Sequence, residues 1–144
     1  IETVALRVER ISANALAVAR HLQGHPKVGW VNYAGLPTHP DHALVARYLS
    51  GQASGLLTFG VKAAPGAGRE AGARFLDGLQ LFTRLVNIGD AKSLATHPAS
   101  TTHRQLSPAE LAQSGVGEDA VRLSVGIEHI DDLLEDLHRA LDAV

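Results

Sequence analysis

The sequence has no cysteine and no methionine among its 144 residues. Without cysteine, the chain cannot form disulfide bonds, present a thiol nucleophile or bind a metal ion through thiolates. The lack of methionine extends to the first position, where Ile1 leads almost at once into a helical pattern. We therefore expect the chain to be cut from a longer protein.

The chain has no large excess of positive or negative charge, and it has no long apolar run. It has 13 basic and 15 acidic residues, which gives no electrostatic reason to expect a nucleic acid or an anionic membrane as partner. No segment reaches the roughly 18 uninterrupted apolar residues of a membrane helix, and no secretory signal opens the sequence. We expect a cytoplasmic protein whose ligands are small molecules.

The spacing of apolar residues predicts one domain of mixed helices and strands. The length and the 45% hydrophobic content suit a single core. Apolar residues recur every three or four positions from Val4 to Leu22, which predicts a helix over 3–23 that ends before Gly24 and Pro26. Similar patterns predict strands over 28–33, 56–62, 85–88, 94–96 and 121–125, and helices after 40, over 75–82, after 107 and over 130–141. This mixture is typical of a two-layer α+β fold in which helices cover one face of a sheet.

One predicted strand carries an arginine in a position that suits anion binding. Side chains alternate along a strand, so Val121 and Leu123 point one way while Arg122 and Ser124 point the other. A guanidinium can bind a carboxylate through two hydrogen bonds, and the small residues Ser124 and Gly126 leave room for a ligand. The alternative is a structural arginine paired with a surface glutamate, which is the commoner case for a lone arginine on a strand.

The segment over 89–103 concentrates hydroxyl groups, two histidines and a proline. Irregular segments of this composition are common binding elements. The same hydroxyls could equally serve to cap turns and satisfy nearby backbone groups. Both interpretations stay open at this point.

The eight histidines do not predict a metal site. His39 and His42 are three positions apart, and His97 and His103 are six apart. No carboxylate or third histidine follows either pair at a spacing known for metal ligands. We therefore expect no metal ion.

Three segments resemble the C-terminal signature of the Cys/Met-metabolism enzymes that depend on pyridoxal phosphate (PLP). They are Gly-Asp-Ala-Lys-Ser-Leu at 89–94, His-Pro-Ala-Ser-Thr-Thr-His at 97–103 and Val-Arg-Leu-Ser-Val-Gly-Ile-Glu at 121–128. Residues 7–10 and 14–16 resemble the long helix that leads into the small domain of this family. Lys92-Ser93 and the segments 102–106 and 128–132 are most similar to the O-acetylhomoserine sulfhydrylase branch. Methionine γ-lyase and cystathionine γ-synthase are the alternative branches.

The resemblance implies a fold and a division of the chain. The fold is the small C-terminal domain of fold-type I PLP-dependent transferases, with a mostly antiparallel sheet covered by helices on one face. Residues 1–24 would form the helix that links to a missing large PLP-binding domain, and residues 25–144 would form the small domain. The full-length enzyme would be a homotetramer that makes homocysteine or methionine from O-acetylhomoserine and sulfide or a thiol.

The resemblance also assigns roles to residues. Arg122 falls on the family's arginine for the substrate carboxylate, and Ser93 falls on a serine that supports it. Lys92, Thr102 and His103 are weaker candidates that could only shape the loop. The ligand of this site would be a small amino-acid substrate, bound by Arg122 with the support of Ser93.

The lysine that carries PLP in this family has no counterpart in the chain. Lys27, Lys62 and Lys92 occur in other sequence contexts, so none can be assigned the covalent bond to the cofactor. We expect no catalytic residue in this fragment and no turnover by the fragment alone. A free-standing, non-catalytic module that binds an amino acid is the alternative hypothesis.

Overall fold

Helices and strands follow one another along the whole chain. The computed structural model describes residues 1–111 and 113–144 in full and residue 112 by its backbone. The elements are α1 (Val4–Gly24), β1 (Val28–Asn32), α2 (His42–Leu49), β2 (Leu56–Val61), α3 (Gly68–Gly78), β3 (Thr83–Arg84), β4 (Leu94–Thr96), a short 3-10 helix (Pro98–Ser100), α4 (Pro108–Gln113), β5 (Ala120–Ser124) and α5 (Ile130–Asp142).

The five strands form one sheet in the order β1-β2-β5-β4-β3. The pairs β1–β2, β2–β5 and β4–β5 are antiparallel, and β3–β4 is parallel. The prediction of an α+β fold with a mostly antiparallel sheet is therefore confirmed. The central strands β2 and β5 come from distant parts of the sequence, so the sheet holds the two halves of the chain together.

One face of the sheet carries the hydrophobic core. Leu57 and Phe59 on β2 and Leu123 on β5 point to this face and are buried, as the alternation along a strand requires. The Phe59 ring meets the Phe75 ring of α3 edge to face, with centroids 5.4 Å apart. Helices α1, α3 and α5 contribute buried residues to the same core. Fully burying one such side chain stabilises the fold by about 1.5–3 kcal/mol.

Helix α1 divides into two parts. Its second half is buried against the domain from Ile11 to Leu22. Its first two turns expose apolar side chains, with Val4 43% and Leu6 70% exposed. The periodicity predicted this helix correctly, and its first turns carry apolar surface that the described residues do not cover. None of the helices in the described chain has the length and apolar run that a membrane crossing needs.

Helix α3 ends earlier than the apolar spacing predicted. It stops at Gly78, whereas the predicted helix over 75–82 ran to Phe82. Gly78 lies so close to α5 that an added Cβ would be 2.9 Å from the Ala140 Cα. Beyond it, the buried Asp136 carboxylate accepts hydrogen bonds from the backbone N–H groups of residues 80, 81 and 82 at 2.9, 2.9 and 3.1 Å. These N–H groups therefore bind α5 instead of continuing a helix.

The predicted strand over 85–88 is also wrong. The strand lies at Thr83–Arg84, and the apolar side chains of Leu85, Val86 and Ile88 are 52, 54 and 65% exposed. Asn87 Oδ1 accepts the N–H of Ile88 at 2.8 Å, which forms a local turn. Apolar composition suggested a strand here, but in the described chain the backbone of these residues pairs with no strand; the Leu85 and Asn87 oxygens accept from the side chains of Thr96 and Arg122 instead.

The predicted start of α4 is correct. Ser107 and Glu110 form a reciprocal capping box, with the Glu110 carboxylate accepting from the Ser107 N–H at 2.8 Å and from its hydroxyl at 2.7 Å. These hydrogen bonds lower the pKa of the Glu110 carboxyl because they favour its charged form.

Candidate functional site

The face of the sheet opposite the core carries a row of polar side chains. The strand register places Asn32 of β1 beside Thr58 of β2, Thr58 beside Arg122 of β5, and Arg122 beside Thr96 of β4. Four neighbouring strands thus each contribute one polar residue at the same level. Arg122 lies in the middle of this row, on the polar face where the alternation of β5 predicted it.

The guanidinium of Arg122 has few partners within the chain. Its Nη2 donates to the main-chain oxygen of Asn87 at 3.2 Å, and the side chain is half-buried. In the described residues no carboxylate lies within 4.0 Å of it, so the alternative of a structural ion pair with a surface glutamate does not apply. Because a guanidinium offers several N–H donors in one plane, most of its capacity for an anionic ligand is free.

A cleft lies in front of this row. It has a volume of about 440 Å³ and is bounded by Asn32, His39, Leu49, Thr58 and Arg122 among others. His39 Nε2 and Asn32 Oδ1 are joined by a hydrogen bond of 2.8 Å at its edge. The cleft is large enough for an amino-acid substrate and has a cation in its wall.

A second cleft of about 540 Å³ lies at the β3 edge of the sheet. Its arginine, Arg84, is bound to Asp77 at 2.7 Å. This cleft is larger, but its charge is already paired. The cleft beside Arg122 is therefore the better candidate for an acidic ligand.

Ser93 is fully buried, and its hydroxyl is used within the protein. The Ser93 Oγ donates to Glu128 Oε2 at 2.8 Å and accepts the N–H of Gly126 at 2.8 Å. The Ser93 N–H donates to Glu128 Oε1 at 2.6 Å. Ser93 thus links the start of β4 to the segment after β5. Gly126 in this segment lies two residues beyond the end of β5, the strand that bears Arg122.

Two residues that sequence reasoning gave no role complete this network. They are Glu128, which receives both bonds from Ser93, and Asn14 of α1. The Asn14 Nδ2 donates to the main-chain oxygens of Gly126 at 3.1 Å and Glu128 at 2.9 Å. The sequence did carry a signal, because Asn14 is a polar residue within the apolar stripe of a predicted helix.

Gly126 has a different role from the one expected. A Cβ at Gly126 would lie 2.4 Å from the Ala91 oxygen and 2.5 Å from Glu128 Oε2. The missing side chain therefore makes room for the chain's own backbone and carboxylate, and not for a ligand. The expectation of ligand space at Gly126 was wrong.

Lys92, Thr102 and His103 are not joined to the row by hydrogen bonds in the described structure. Lys92 is exposed, and its backbone N–H binds Asp90 Oδ1 at 3.1 Å. Thr102 Oγ1 and His103 Nδ1 bind each other at 2.8 Å. These contacts shape two turns of the 89–103 segment.

His97 is a core histidine. It is fully buried, with Nδ1 2.9 Å from Ser100 Oγ and Nε2 2.8 Å from the Glu118 oxygen. Burial lowers the pKa of His97, and the hydrogen bond to the Glu118 oxygen acts in the opposite direction. Thr101 Oγ1 donates to the His97 oxygen at 2.8 Å. Around His97 the hydroxyl groups satisfy local polar groups, as the turn-capping interpretation of this segment predicts.

A sequence model of the family described as Cys/Met metabolism PLP-dependent enzyme matches residues 1–142. The chain belongs to this family. It is 50% identical over 141 residues to O-acetyl-L-homoserine sulfhydrylase 1 of Thermus thermophilus, covering 98% of this chain and 32% of that protein. It is 52% identical over 142 residues to O-acetyl-L-homoserine sulfhydrylase of Leptospira meyeri, covering 98% and 31%.

A solved structure of the family has the same fold. It is the crystal structure of an O-acetylhomoserine (thiol)-lyase from Campylobacter jejuni with N'-pyridoxyl-lysine-5'-monophosphate, and it matches with a TM-score of 0.86 and 44% identity. The match covers 98% of this chain and 32% of that one. The chain therefore spans about a third of the length of these Cys/Met-metabolism enzymes.

The lysines of this family member do not fit a PLP site. Lys27 Nζ donates to the main-chain oxygens of Asp142 at 2.9 Å and Val144 at 3.3 Å, and Lys62 Nζ donates to the Pro26 oxygen at 3.0 Å. The Lys27 ammonium thus lies at the C-terminal end of α5, and the Lys62 ammonium lies at the turn before β1. The third lysine, Lys92, is exposed in a turn. None lies in the row around Arg122, so no lysine of this chain is placed there to bond the cofactor.

Proposed function

We propose that this chain is the C-terminal domain of an O-acetylhomoserine sulfhydrylase and that Arg122 binds the carboxylate of the amino-acid substrate. One observation carries the proposal. The Arg122 guanidinium lies half-buried in the wall of a cleft, and among the described residues no carboxylate pairs with it. A cation in this setting favours an anionic ligand from outside the chain.

The contribution of Arg122 to catalysis is positional. Two parallel hydrogen bonds from a guanidinium to a carboxylate fix both the place and the orientation of a small amino acid. Thr58 and Thr96 flank the arginine on the neighbouring strands, and the Asn87 oxygen holds one of its nitrogens. Holding the acid group in this way aligns the rest of the substrate with reactive groups supplied from outside this chain.

Ser93 supports the site indirectly, through the backbone. Its bonds to Glu128 and Gly126 fix the backbone that follows β5, and hence the position of the strand that carries Arg122. Lys92, Thr102 and His103 are proposed only to shape the loop beside the site. The reaction of the whole enzyme would be the formation of homocysteine or methionine from O-acetylhomoserine and sulfide or a thiol.

The proposed division of the chain follows from α1. Residues 1–24 form the helix that leads from a large PLP-binding domain, and residues 25–144 form the small domain. The exposed apolar side chains of Val4 and Leu6 support this, since they would be covered by the large domain. We expect the full-length enzyme to be a cytoplasmic homotetramer.

The decisive variant is Arg122→Lys in the full-length enzyme. Lysine keeps the positive charge but cannot form the two parallel bonds. We expect kcat/KM for O-acetylhomoserine to fall by about two orders of magnitude, the scale of a misplaced substrate. Steady-state kinetics with sulfide as the second substrate measure this loss.

The matched control is Arg74→Lys, because Arg74 is an exposed arginine on α3 whose partner is Glu70. Its kinetics should match those of the unmodified enzyme. If Arg122→Lys leaves kcat/KM unchanged, Arg122 does not bind the carboxylate and the proposal is wrong.

Calorimetry separates a domain of an enzyme from a free-standing binding module. The 144-residue chain alone offers only half of the proposed site, so titration with O-acetylhomoserine should give almost no heat. Clear saturable binding by the chain alone would support the non-catalytic amino-acid-binding hypothesis instead.

A further inference from the structure

Three histidines from distant parts of the chain meet at one end of α1 and α5. His21 lies in the last turn of α1, His25 directly follows that helix, and His138 lies in α5. Their ring centroids are separated by 5.9 Å (His21 and His25), 6.2 Å (His21 and His138) and 5.3 Å (His25 and His138). Three imidazoles bound to one tetrahedral zinc ion have centroids about 5 Å apart. The His25 and His138 rings are close to this spacing, whereas His21 lies farther from both.

The nitrogen atoms of two of these rings have the spacing of metal ligands. His25 Nε2 and His138 Nδ1 are 3.2 Å apart. Two nitrogens that bind one zinc ion at about 2.0–2.1 Å lie about 3.3 Å apart in tetrahedral geometry. A carboxylate oxygen of Asp142 lies within 4.8 Å of a ligand atom of each ring. Asp142 Oδ2 is also 3.5 Å from the second nitrogen of His138, Nε2. Two imidazoles and one carboxylate thus lie close enough together to share one ion.

We propose that His25, His138 and Asp142 bind a divalent transition-metal ion of the zinc type. Imidazole nitrogen and carboxylate oxygen are ligands that zinc accepts in proteins. His138 and Asp142 are four positions apart on α5, so they share one face of that helix. His25 directly follows α1 and lies beside His138. The site belongs to the helix layer and is independent of the function proposed for the Arg122 face.

The burial of the three side chains suits an ion that enters from solvent. His25 is buried, whereas the side chains of His138 and Asp142 are 57 and 61% exposed. The exposed ligands leave a path by which the ion can enter.

One cation lies beside the cluster. The ammonium of Lys27 binds the main-chain oxygen of Asp142 at 2.9 Å, and the Asp142 carboxylate offsets this positive charge.

The test is a zinc competition titration of the full-length protein against a chromophoric chelator. The protein must carry no polyhistidine tag, because a tag would bind the same ion. We expect one high-affinity Zn²⁺ ion per chain. His138→Gln, which removes a ligand from an exposed position, should weaken the binding by at least about tenfold.

The matched control is His42→Gln, since His42 is an exposed histidine whose Nδ1 is 3.0 Å from the Ala34 oxygen, outside the cluster. It should bind Zn²⁺ as the unmodified protein does. Co²⁺ gives a second readout, because its visible absorption should show four-coordinate geometry and disappear in His138→Gln. Asp142→Asn tests the same site should His138→Gln fail to fold.

The absence of stoichiometric Zn²⁺ binding would overturn the proposal. Equal affinities of the unmodified protein, His138→Gln and Asp142→Asn would overturn it as well, because the ion would then bind elsewhere. In either case the contact between His25 and His138 is a hydrogen bond and nothing more.

Discussion

The two faces of the sheet differ in what their residues do, although they alternate along the same strands. On β2, Phe59 is buried under α3, while its neighbour Thr58 lies in the polar row on the other face. On β5, Leu123 belongs to the core, while Arg122 lines the cleft. One face stabilises the fold, and the other is free to carry polar groups with few internal partners. A change on one face should therefore affect stability, and a change on the other should affect ligand binding.

The largest effect on stability is expected at Phe59. Phe59→Ala removes a ring that is fully buried against Phe75, so the free energy of unfolding should fall by about 3–5 kcal/mol. Urea denaturation of the chain, followed by circular dichroism, measures this change. Thr58→Ala on the opposite face is the control and should cost less than about 1 kcal/mol. Similar losses for both variants would contradict the difference between the faces.

A smaller loss of stability is expected at Ser93, which fastens β4 to the segment after β5. Ser93→Ala leaves the Gly126 N–H and one oxygen of Glu128 without their hydroxyl partner, at a cost of about 1–3 kcal/mol. Urea denaturation again provides the measurement. Ser124→Ala removes a hydroxyl that makes no hydrogen bond in the described structure, so its effect should be within about 0.5 kcal/mol. If Ser93→Ala lowers the free energy of unfolding no more than Ser124→Ala does, the network contributes little to stability.

His97 should make the stability depend on pH. Burial holds its pKa below the ordinary value of 6.5, so the unfolded chain takes up the proton first. The stability that neutral, buried His97 contributes is fully present above pH 6.5. It is lost as the pH falls through that value toward the lower pKa of the folded state. Unfolding free energies at about pH 7.5 and 5.5 should differ less in His97→Asn than in the unmodified chain. An unchanged difference would exclude His97 as the source.

The smallest effect on stability is expected at Arg122 itself. Arg122→Gln removes one hydrogen bond to the Asn87 oxygen from a half-buried side chain, so the unfolding free energy should change by no more than about 0.5 kcal/mol. Thermal denaturation of the full-length Arg122→Gln enzyme measures its stability, and steady-state kinetics measure its kcat/KM. A large loss of kcat/KM with little loss of stability is expected. A large loss of stability would make Arg122 a structural residue.

The elements with a clear local sequence pattern were predicted correctly. The apolar stripes of α1 and α5, the alternation of β5 and the capping box at Ser107 were all visible in the sequence and are confirmed. The end of α3 was missed because Asp136, far along the chain, binds the backbone after Gly78. The segment over 85–88 was misassigned because its apolar residues are exposed and do not form a strand.

The candidate site was only partly visible in the sequence. The position of Arg122 on the polar face followed from alternation along β5, but its neighbours Thr58 and Thr96 depend on strand order, which no local pattern reveals. Gly126 was misinterpreted for the same reason, since the backbone that fills its space comes from residues 91 and 92. The cluster of His21, His25 and His138 also required the packing of α1 on α5 to be known.

The two hydrogen bonds of Asn14 connect the first helix to the segment that follows the arginine strand. A tilt of that helix would pull on the backbone at residues 126 and 128, and so on the strand that ends two residues earlier. The Asn14 amide therefore couples the orientation of the first helix to the segment beside the arginine strand, in addition to the bonds from Ser93 to Glu128 and Gly126.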